Sequence, residues 1–371
     1  MNSEPSLLEI ADRLESLMEM IASLPVVAGF DAFVDEVFQI VGNRESAAVF
    51  ERVKTIREFE KWVGASAGKS GLREAVLIER SAGGCAVNQG DGLTSLGFPL
   101  TSFASTGSDS VFDAFRKKCC RLENLDLEPG RTVAYEFEDG KLMLCSVGHL
   151  AQLNSDYLRK HFIQGPFRES CSSAAAIVLT GWSVFSQMND CWRFLQSEAL
   201  AGLGNRPRLF FDLADPASRS PSDLVEMLEV LRGFEAIGPV TLSLNGNEAN
   251  QLAKVVGINE VDGNRLDCER QATALRERAG ISEVGIHCLR FATSATESET
   301  VTVNSAYTPS PSKSVGAGDR FNAGWLAGLL LHFPQASQLL LGSACSGFFV
   351  RNARSATLPE LAGFLRDWSK N

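Results

Sequence analysis

The sequence lacks the features that mark membrane-spanning, secreted and nucleic-acid-binding proteins. Its apolar runs, 174–182 and 323–333, are far shorter than the ~18 residues of a membrane span. The chain does not begin with a basic leader and an apolar segment, so we expect a cytoplasmic protein without membrane association. Its 45 acidic and 35 basic residues give a net charge of −10, and no basic cluster occurs, which argues against a nucleic-acid partner.

Disulfide and metal-ligand patterns are also missing. The 9 cysteines include no CxxC pair and are odd in number, as expected of reduced and mostly buried thiols. The 4 histidines are too dispersed along the chain to suggest a metal site. With 44% hydrophobic and 22% charged residues, the composition is that of an ordinary globular protein.

Hydrophobic periodicity predicts the architecture. Residues 5–24 have helical spacing, and we predict an N-terminal helical extension over 1–24, followed by one domain over 25–371 that ends in helices over 316–368. Short apolar runs alternate with amphipathic stretches through this domain. The predicted strands are 26–30, 176–180, 208–212, 239–244 and 284–289. Such alternation predicts an α/β fold with a doubly wound, mostly parallel sheet that is covered by helices on both faces.

Two segments depart from this alternation. Residues 131–148 alternate with period two around Asp139-Gly140, which indicates a hairpin. Residues 36–80 contain two strand-like runs and a charged stretch at 50–63 that we predict as a helix. We interpret both segments, 36–80 and 131–148, as a small β-rich lid inserted into the main domain.

Two glycine-containing segments carry the clearest chemistry. At 316–319, Gly-Ala-Gly-Asp opens a helix, so bare backbone N–H groups lie at a helix N-terminus, where anions bind. The alternative is an ordinary glycine turn in which Asp319 only stabilises the helix start. At Gly83-Gly84 a ligand can approach the backbone, and Asn88 offers hydrogen-bond donors and an acceptor, although Asn88 could also be a local cap.

Together these segments resemble the two signatures of the ribokinase-like (PfkB) carbohydrate kinases. The late signature is matched by Gly316–Asp319, Phe321 and Ala323-Gly324. The early pattern GGxAxNxAxxLxxLG is matched over 83–97, except that Gly90 stands where alanine is usual. The two signatures occur in the family's order, and the resemblance extends over about residues 25 to 365.

The resemblance implies a phosphotransferase that uses ATP and Mg²⁺ to phosphorylate a hydroxyl of a sugar or sugar-like molecule. It implies that Asp319 takes the proton of this hydroxyl. The turn Gly316, Ala317 and Gly318 would stabilise the transferred group, and Gly318 would also contact the nucleotide. Asn245 and Glu248 match the family's NxxE motif, which organises Mg²⁺ and the phosphates, largely through water. The residues implied for the substrate are Gly83, Gly84, Asn88, Arg219 and the two aspartates Asp31 and Asp35, which the sequence does not rank.

Departures from the family keep other functions open. The usual glycine-containing nucleotide loop is absent after strand 284–289, so a catalytically silent sugar- or nucleotide-binding protein is an alternative. A kinase of a nucleoside or a vitamin-like alcohol is another, because one fold hosts several substrates. Lys313 stands where potassium-activated members have an aspartate, so we predict no monovalent-cation requirement. Exposed lid edges suggest a homodimer.

Overall fold

A nine-stranded sheet organises the structure, a computed structural model that describes residues 6–162, 165–258 and 264–370. The strands of the described residues are β1 (Val26–Phe30), β2 (Phe33–Arg44), β3 (Phe50–Arg52), β4 (Ala75–Gly83), β5 (Leu100–Ala104), β6 (Arg121–Asn124), β7 (Gly130–Phe137), β8 (Gly140–Ser146), β9 (Ala176–Leu179), β10 (Arg208–Asp212), β11 (Val240–Asn245), β12 (Glu283–His287), β13 (Phe291–Ala295) and β14 (Thr300–Asn304).

Helices surround this sheet. Those of the described residues are α1 (Leu7–Ser16), α2 (Met18–Ala22), α3 (Ile56–Ala65), α4 (Cys85–Ser95), α5 (Asp113–Lys118), α6 (Ser155–Phe162), α7 (Pro166–Ser173), α8 (Met188–Phe194), α9 (Pro221–Gly233), α10 (Gly246–Val256), α11 (Arg265–Ala279), α12 (Ala317–Leu330), α13 (Gln335–Asn352) and α14 (Leu358–Trp368). None of these helices has both the length and the hydrophobicity of a membrane span.

The strand order of the large sheet is β14-β13-β12-β11-β10-β9-β1-β5-β6. All neighbours pair in parallel from β12 to β6, and β13 and β14 are antiparallel. Successive residues of β10 contribute to two different hydrophobic clusters, Leu209 and Phe211 to one and Phe210 to the other. Since successive side chains of a strand point to opposite faces, both faces of the sheet are buried. The predicted α/β fold with a mostly parallel sheet is confirmed.

A small sheet of β2, β3, β4, β7 and β8 lies beside the large one. Strand β2 pairs antiparallel with β4 and parallel with β7, and β8 completes a hairpin with β7. The segments 36–80 and 131–148 fall on this sheet. The prediction of a helix over 50–63 is wrong at its start, because residues 50–52 form β3 and pair with β2. The hydroxyl of Thr55 then accepts the N–H of Glu58 and starts α3 at Ile56.

The chain ends pack against each other. The buried side chains Ile10, Ala11 and Leu14 of α1 face the cluster that contains the C-terminal helices. At the surface, Arg366 of α14 binds Glu15 of α1 at 2.8 Å. Helices α12, α13 and α14 occupy most of 316–368, as predicted. Residues 1–5 of the predicted extension lie outside the described residues.

Candidate active site

Polar residues of the site follow the carboxyl ends of several parallel strands. Asp31 comes after β1, Asp212 ends β10, and Asn245 ends β11. The carboxyl ends of parallel strands lie at one edge of a sheet, which is where ligands bind in open α/β sheets. Helix α4 begins after Gly84 and α12 after Gly316 at the same edge, which brings residues from distant parts of the chain together.

The turn at 316–319 has the geometry that its glycines allow. Gly316 has φ +87°, and a Cβ there would lie 2.7 Å from the guanidinium of Arg320. Helix α12 starts at Ala317 without a side-chain cap, and the N–H of Ala317 donates to the backbone carbonyl of Ser314 at 3.1 Å. The side chain of Asn88 donates to Asp319 at 2.9 Å, which joins the early motif to the late one. The structure thus brings Asn88, Gly316 and Asp319 together.

Two cavities touch this turn. One, of about 530 Å³ and here named the lid-side cavity, lies beneath the small sheet and reaches Gly316 and Asp319. The other, of about 490 Å³ and named the hairpin-side cavity, lies next to the β12–β13 hairpin and reaches Ala317 and Gly318. A group bound in one cavity can therefore meet a group bound in the other at this turn.

The lid-side cavity is lined by most of the residues predicted to bind substrate. Its lining includes Asp31, Asp35, Gly84 and Asn88. Gly83 packs directly against Asp35, since a Cβ on Gly83 would overlap the Asp35 carboxylate. The cavity also contains residues that the sequence did not indicate, namely Phe33, Thr132, Met143, Cys145, Ser183 and Val184.

The two aspartates after β1 have different surroundings. Asp31 is 1% exposed, and its carboxylate accepts the N–H groups of Cys85 and Ala86 and the hydroxyl of Thr180. It thereby stabilises the start of α4. Asp35 lies on the wall of the lid-side cavity. Burial raises the pKa of Asp35, whereas a hydrogen bond from Thr132 and the charge of Lys313 oppose this rise.

Three buried carboxyl groups lie close to the turn. Burial raises the pKa of Asp319, and the neighbouring Asp212 carboxylate raises it further. Burial and the Asp212 carboxylate likewise raise the pKa of Glu248. Oxygen atoms of Asp212 and Asp319 and the sulfur of Cys85 all lie within 4.8 Å of one another. The sequence did not single out Asp212, although its place at a strand end was a usable signal.

The NxxE residues form a capping box at the start of α10. The side chain of Asn245 accepts the N–H groups of Asn247 and Glu248, and Glu248 Oε2 accepts the N–H of Asn245 at 2.8 Å. Glu248 is 5% exposed, so its carboxyl group is largely withdrawn from water. Asn245 and Gly246 line the hairpin-side cavity. The structure therefore places this motif beside the turn but engages much of it in capping.

Arg219 lies away from the predicted substrate position. Its guanidinium donates to the carbonyl of Phe185 at 2.8 Å, lies 4.2 Å above the ring of Trp182 and pairs with Asp223 at 3.2 Å. The neighbouring Ala217 and Ser218 line the lid-side cavity, but Arg219 does not. The guanidinium of Arg219 is therefore engaged in packing the loop after β10, and its substrate contact stays a prediction.

The sequence also did not indicate several residues that line the hairpin-side cavity. His287 ends β12 and lies beneath the turn, since a Cβ on Gly318 would be 3.2 Å from its ring. Burial lowers the pKa of His287 to about 4, so the ring is neutral at physiological pH. In place of the family's glycine loop, β12 continues through a short turn into β13. Residues 305–308 form the opposite wall.

The fold and this site define a class of protein. The carboxyl edge of the large sheet carries a Gly-Ala-Gly-Asp turn between two cavities, and a small sheet lies above one of them. This arrangement is that of a ribokinase-like carbohydrate kinase.

Comparison with known proteins identifies the family. A family model described as prokaryotic ketohexokinase matches residues 6–368, and the chain belongs to this family. A ketohexokinase of Haloferax volcanii is 30% identical over 354 residues, which cover 94% of this chain and 93% of the relative. The chain is therefore a carbohydrate kinase, which phosphorylates a hydroxyl group of a sugar. The resemblance found in the sequence is confirmed.

Solved structures share the fold at much lower sequence identity. Arabidopsis thaliana ribokinase, complexed with ribose and ATP, has a TM-score of 0.65 and 14% identity, covering 93% of this chain and 99% of that one. A putative ribokinase II from E. coli, in complex with ATP and Mg²⁺, has a TM-score of 0.62 and 17% identity, with the same coverage. These likenesses support the fold.

Proposed function

We propose that this protein transfers the γ-phosphate of ATP to a hydroxyl of a ketohexose. The observation that carries the proposal is the meeting of two cavities at one turn, with Asp319 facing one and the amides of Ala317 and Gly318 beside the other. The name of the Haloferax volcanii relative supports a ketohexose as acceptor. The ATP in two structural neighbours supports the nucleotide as donor.

In this proposal the sugar occupies the lid-side cavity. Asp35 and Asn88 would hold sugar hydroxyls there, because their polar side chains line the cavity wall. Gly83 and Gly84 would let the sugar approach the backbone. Asp31 contributes indirectly, since both of its oxygens already accept hydrogen bonds that fix the start of α4. Arg219 would have no part in binding.

Asp319 would act as the general base. Its raised pKa makes the ionised carboxylate a better proton acceptor than an exposed aspartate, which suits the removal of a proton from an attacking hydroxyl. The hydrogen bond from Asn88 fixes its orientation. The N–H groups of Gly318 and Asp319 at the start of α12 would stabilise the charge on the transferred group, since they are fixed in position before the reaction, whereas the N–H of Ala317 already donates to the carbonyl of Ser314.

The buried carboxyl groups fit a divalent cation. Glu248 and Asp212 are crowded and desolvated enough to raise each pKa, and a nearby cation would relieve that cost. Carboxylate and amide oxygens suit Mg²⁺, which keeps several of its waters. Glu248 and Asn245 would hold the ion, mostly through water, because their capping bonds leave few free oxygens. Bound Mg²⁺ supplies positive charge against the nucleotide phosphates.

The test is a phosphorylation screen with Mg²⁺ and either ATP or GTP. Acceptors would be four ketohexoses, glucose, ribose, adenosine and a hydroxymethyl-pyrimidine, with product identified by mass spectrometry and ³¹P NMR. We expect the highest kcat/KM for a ketohexose with ATP. Asp319→Asn protein, purified in the same way, controls for contaminating kinases. Turnover of a nucleoside or the pyrimidine alone would contradict the proposal. Sugar-induced melting shifts without any turnover would instead indicate a silent binding protein.

We further propose a cytoplasmic homodimer that pairs through the small sheet. Strands β4 and β8 each have one neighbour among the described strands, so their outer edges are open to pairing. Large apolar side chains on these strands are exposed by 36–55%: Leu77, Ile78, Leu142, Met143 and Leu144. Light scattering at working concentration would test this, and a monomer mass would contradict it.

A further inference from the structure

An ion pair joins the small sheet to the loop before the turn. Lys313, three residues before Gly316, has its Nζ 2.6 Å from Oε1 of Glu79 in β4. The two residues are 234 positions apart in the sequence. Their side chains are 27% and 46% exposed, so water partly screens the pair.

Strand register places Glu79 on the side of the small sheet that faces the lid-side cavity. Ser81, Asp35, Thr132 and Cys145 lie opposite one another on β4, β2, β7 and β8. The next row contains Glu79, Val37, Ala134 and Met143. Opposed residues share a face, as do residues two apart along a strand. Because Asp35, Thr132, Cys145 and Met143 line the cavity, Glu79 lies on the same face as they do.

Lys313 is fixed to the main domain by its backbone. The N–H groups of Ser312 and Lys313 both donate to the carbonyl of Val350, at 2.6 and 3.4 Å, near the end of α13. The hydroxyl of Ser312 donates to the carbonyl of Arg351. The Lys313 side chain therefore extends from a fixed segment of the main domain to the small sheet, and Glu79 is its partner there.

We propose that Lys313 and Glu79 are a positioning pair that holds the small sheet over the lid-side cavity and so sets the affinity for the sugar. The inference rests on the proposed function, in which the sugar occupies that cavity. Neither residue lines the cavity, so the pair acts through Asp35 and Thr132, which the sheet carries. Losing the pair loosens these two residues relative to the turn.

Charge reversal tests the pair directly. We expect Lys313→Glu and Glu79→Lys each to raise KM for the sugar by about 5- to 20-fold, with kcat and KM for ATP within about 2-fold of wild type. The double variant should regain most of the wild-type KM, because it restores an opposite-charge pair. If Lys313 instead contacted substrate itself, the double variant would stay as impaired as Lys313→Glu, and the proposal would be overturned.

The matched control is a second ion pair of the small sheet. Arg44 and Glu74 lie 2.6 Å apart, and neither lines the lid-side cavity. Glu74→Lys removes an equivalent ion pair that stays within the small sheet, so its KM for the sugar should not change. An increase equal to that of Glu79→Lys would mean that any disturbance of the sheet has this effect, which would overturn the proposal.

Hydrogen exchange separates this inference from the proposed function. In the ligand-free protein, amides of β4 should exchange several-fold faster in each single variant and return toward wild type in the double variant. This comparison needs no turnover, so it tests the pair even if no ketohexose is phosphorylated. Identical exchange in wild type and both single variants would overturn the inference.

Discussion

Replacing Asp91 by asparagine probes the support behind the turn. Asp91 lies on α4 and accepts hydrogen bonds from Arg320 at 3.1 Å and from Ser355 at 2.6 Å. Arg320 follows Asp319 and lies 4.5 Å above the ring of Phe349. The side chains of Arg320 and Asp91 are only 10% and 22% exposed, so this ion pair is largely withdrawn from water.

The loss of stability expected for Asp91→Asn follows from this geometry. Two unit charges at this separation attract by about 5 kcal/mol at an effective dielectric constant of 20. Asparagine retains a hydrogen-bond acceptor, and Arg320 keeps its contacts with Ser355 and Phe349, so only part of this attraction is lost. We expect Asp91→Asn to lower the free energy of unfolding by about 2–3 kcal/mol. That corresponds to a fall in Tm of roughly 3–4 °C for a chain of this length.

The assay is thermal unfolding of Asp91→Asn beside a matched control, Asp12→Asn. Asp12 pairs with Arg366 but is 73% exposed, so its loss should cost at most about 0.5 kcal/mol. The Arg320 charge and the bonds from Lys118 and Ser355 outweigh burial and lower the pKa of Asp91, so its contribution is full at neutral pH and declines as pH falls below about 4. The reasoning fails if both variants melt together, or if the difference between wild type and Asp91→Asn does not shrink as the pH is lowered stepwise below 4.

Three further predictions concern the site. Asp319→Asn should lose about 10²-fold or more in kcat while calorimetry shows retained nucleotide binding, and near-wild-type turnover would exclude Asp319 as the base. Initial rates at constant ionic strength should not differ between K⁺, Na⁺ and a bulky organic cation, because Lys313 replaces the anionic ligand; saturable activation by K⁺ would contradict this. Arg219→Met should lower Tm yet leave KM for the sugar within about 2-fold, since its guanidinium packs on Trp182.

Much of the fold was predictable because hydrophobic runs mark the central strands. Strands β9 to β12 occur within a residue or two of the predicted positions, since their buried centres are rich in apolar residues, although β11 alternates apolar residues with Thr241 and Ser243. The sequence did not predict the β13–β14 hairpin, because its first strand is not marked by a hydrophobic run. Its first strand, Phe291–Ala295, consists mostly of small and hydroxyl-bearing residues, and pairing with its neighbours rather than hydrophobicity makes it a strand.

The site was less predictable, because long-range register decides which side chains meet. The motifs indicated Asn88 and Asp319 but not their hydrogen bond, which joins residues 231 positions apart. Thr132 and Cys145 reach the cavity only because β7 and β8 pair beside β2. No local pattern specifies that arrangement. For the same reason the sequence did not indicate that the charge of Arg219 is used in packing.

Burial raises the pKa of the carboxyl groups at the turn, and their hydrogen-bond partners are neutral donors that oppose this rise only in part. Asp319 is held by the amide of Asn88, and Asp212 by the amide of Asn322 at 2.6 Å. Glu248 accepts a backbone N–H. Neutral donors orient a carboxylate without cancelling its charge, whereas a lysine or arginine in direct contact would lower its pKa. The fold therefore keeps proton affinity and cation affinity in one place, at the cost of burying three carboxyl groups close together.

Arg320 is the cation that most directly opposes this arrangement, because it follows Asp319 and its charge lowers the pKa of that residue. Its guanidinium points instead to Asp91 and Ser355 and packs on Phe349. Asp91 thus stabilises the contact between α4 and α12 and, together with Ser355 and Phe349, holds a positive charge away from the general base. In Asp91→Asn, Arg320 would keep its contacts with Ser355 and Phe349, so we expect stability to fall while its charge stays directed away from Asp319.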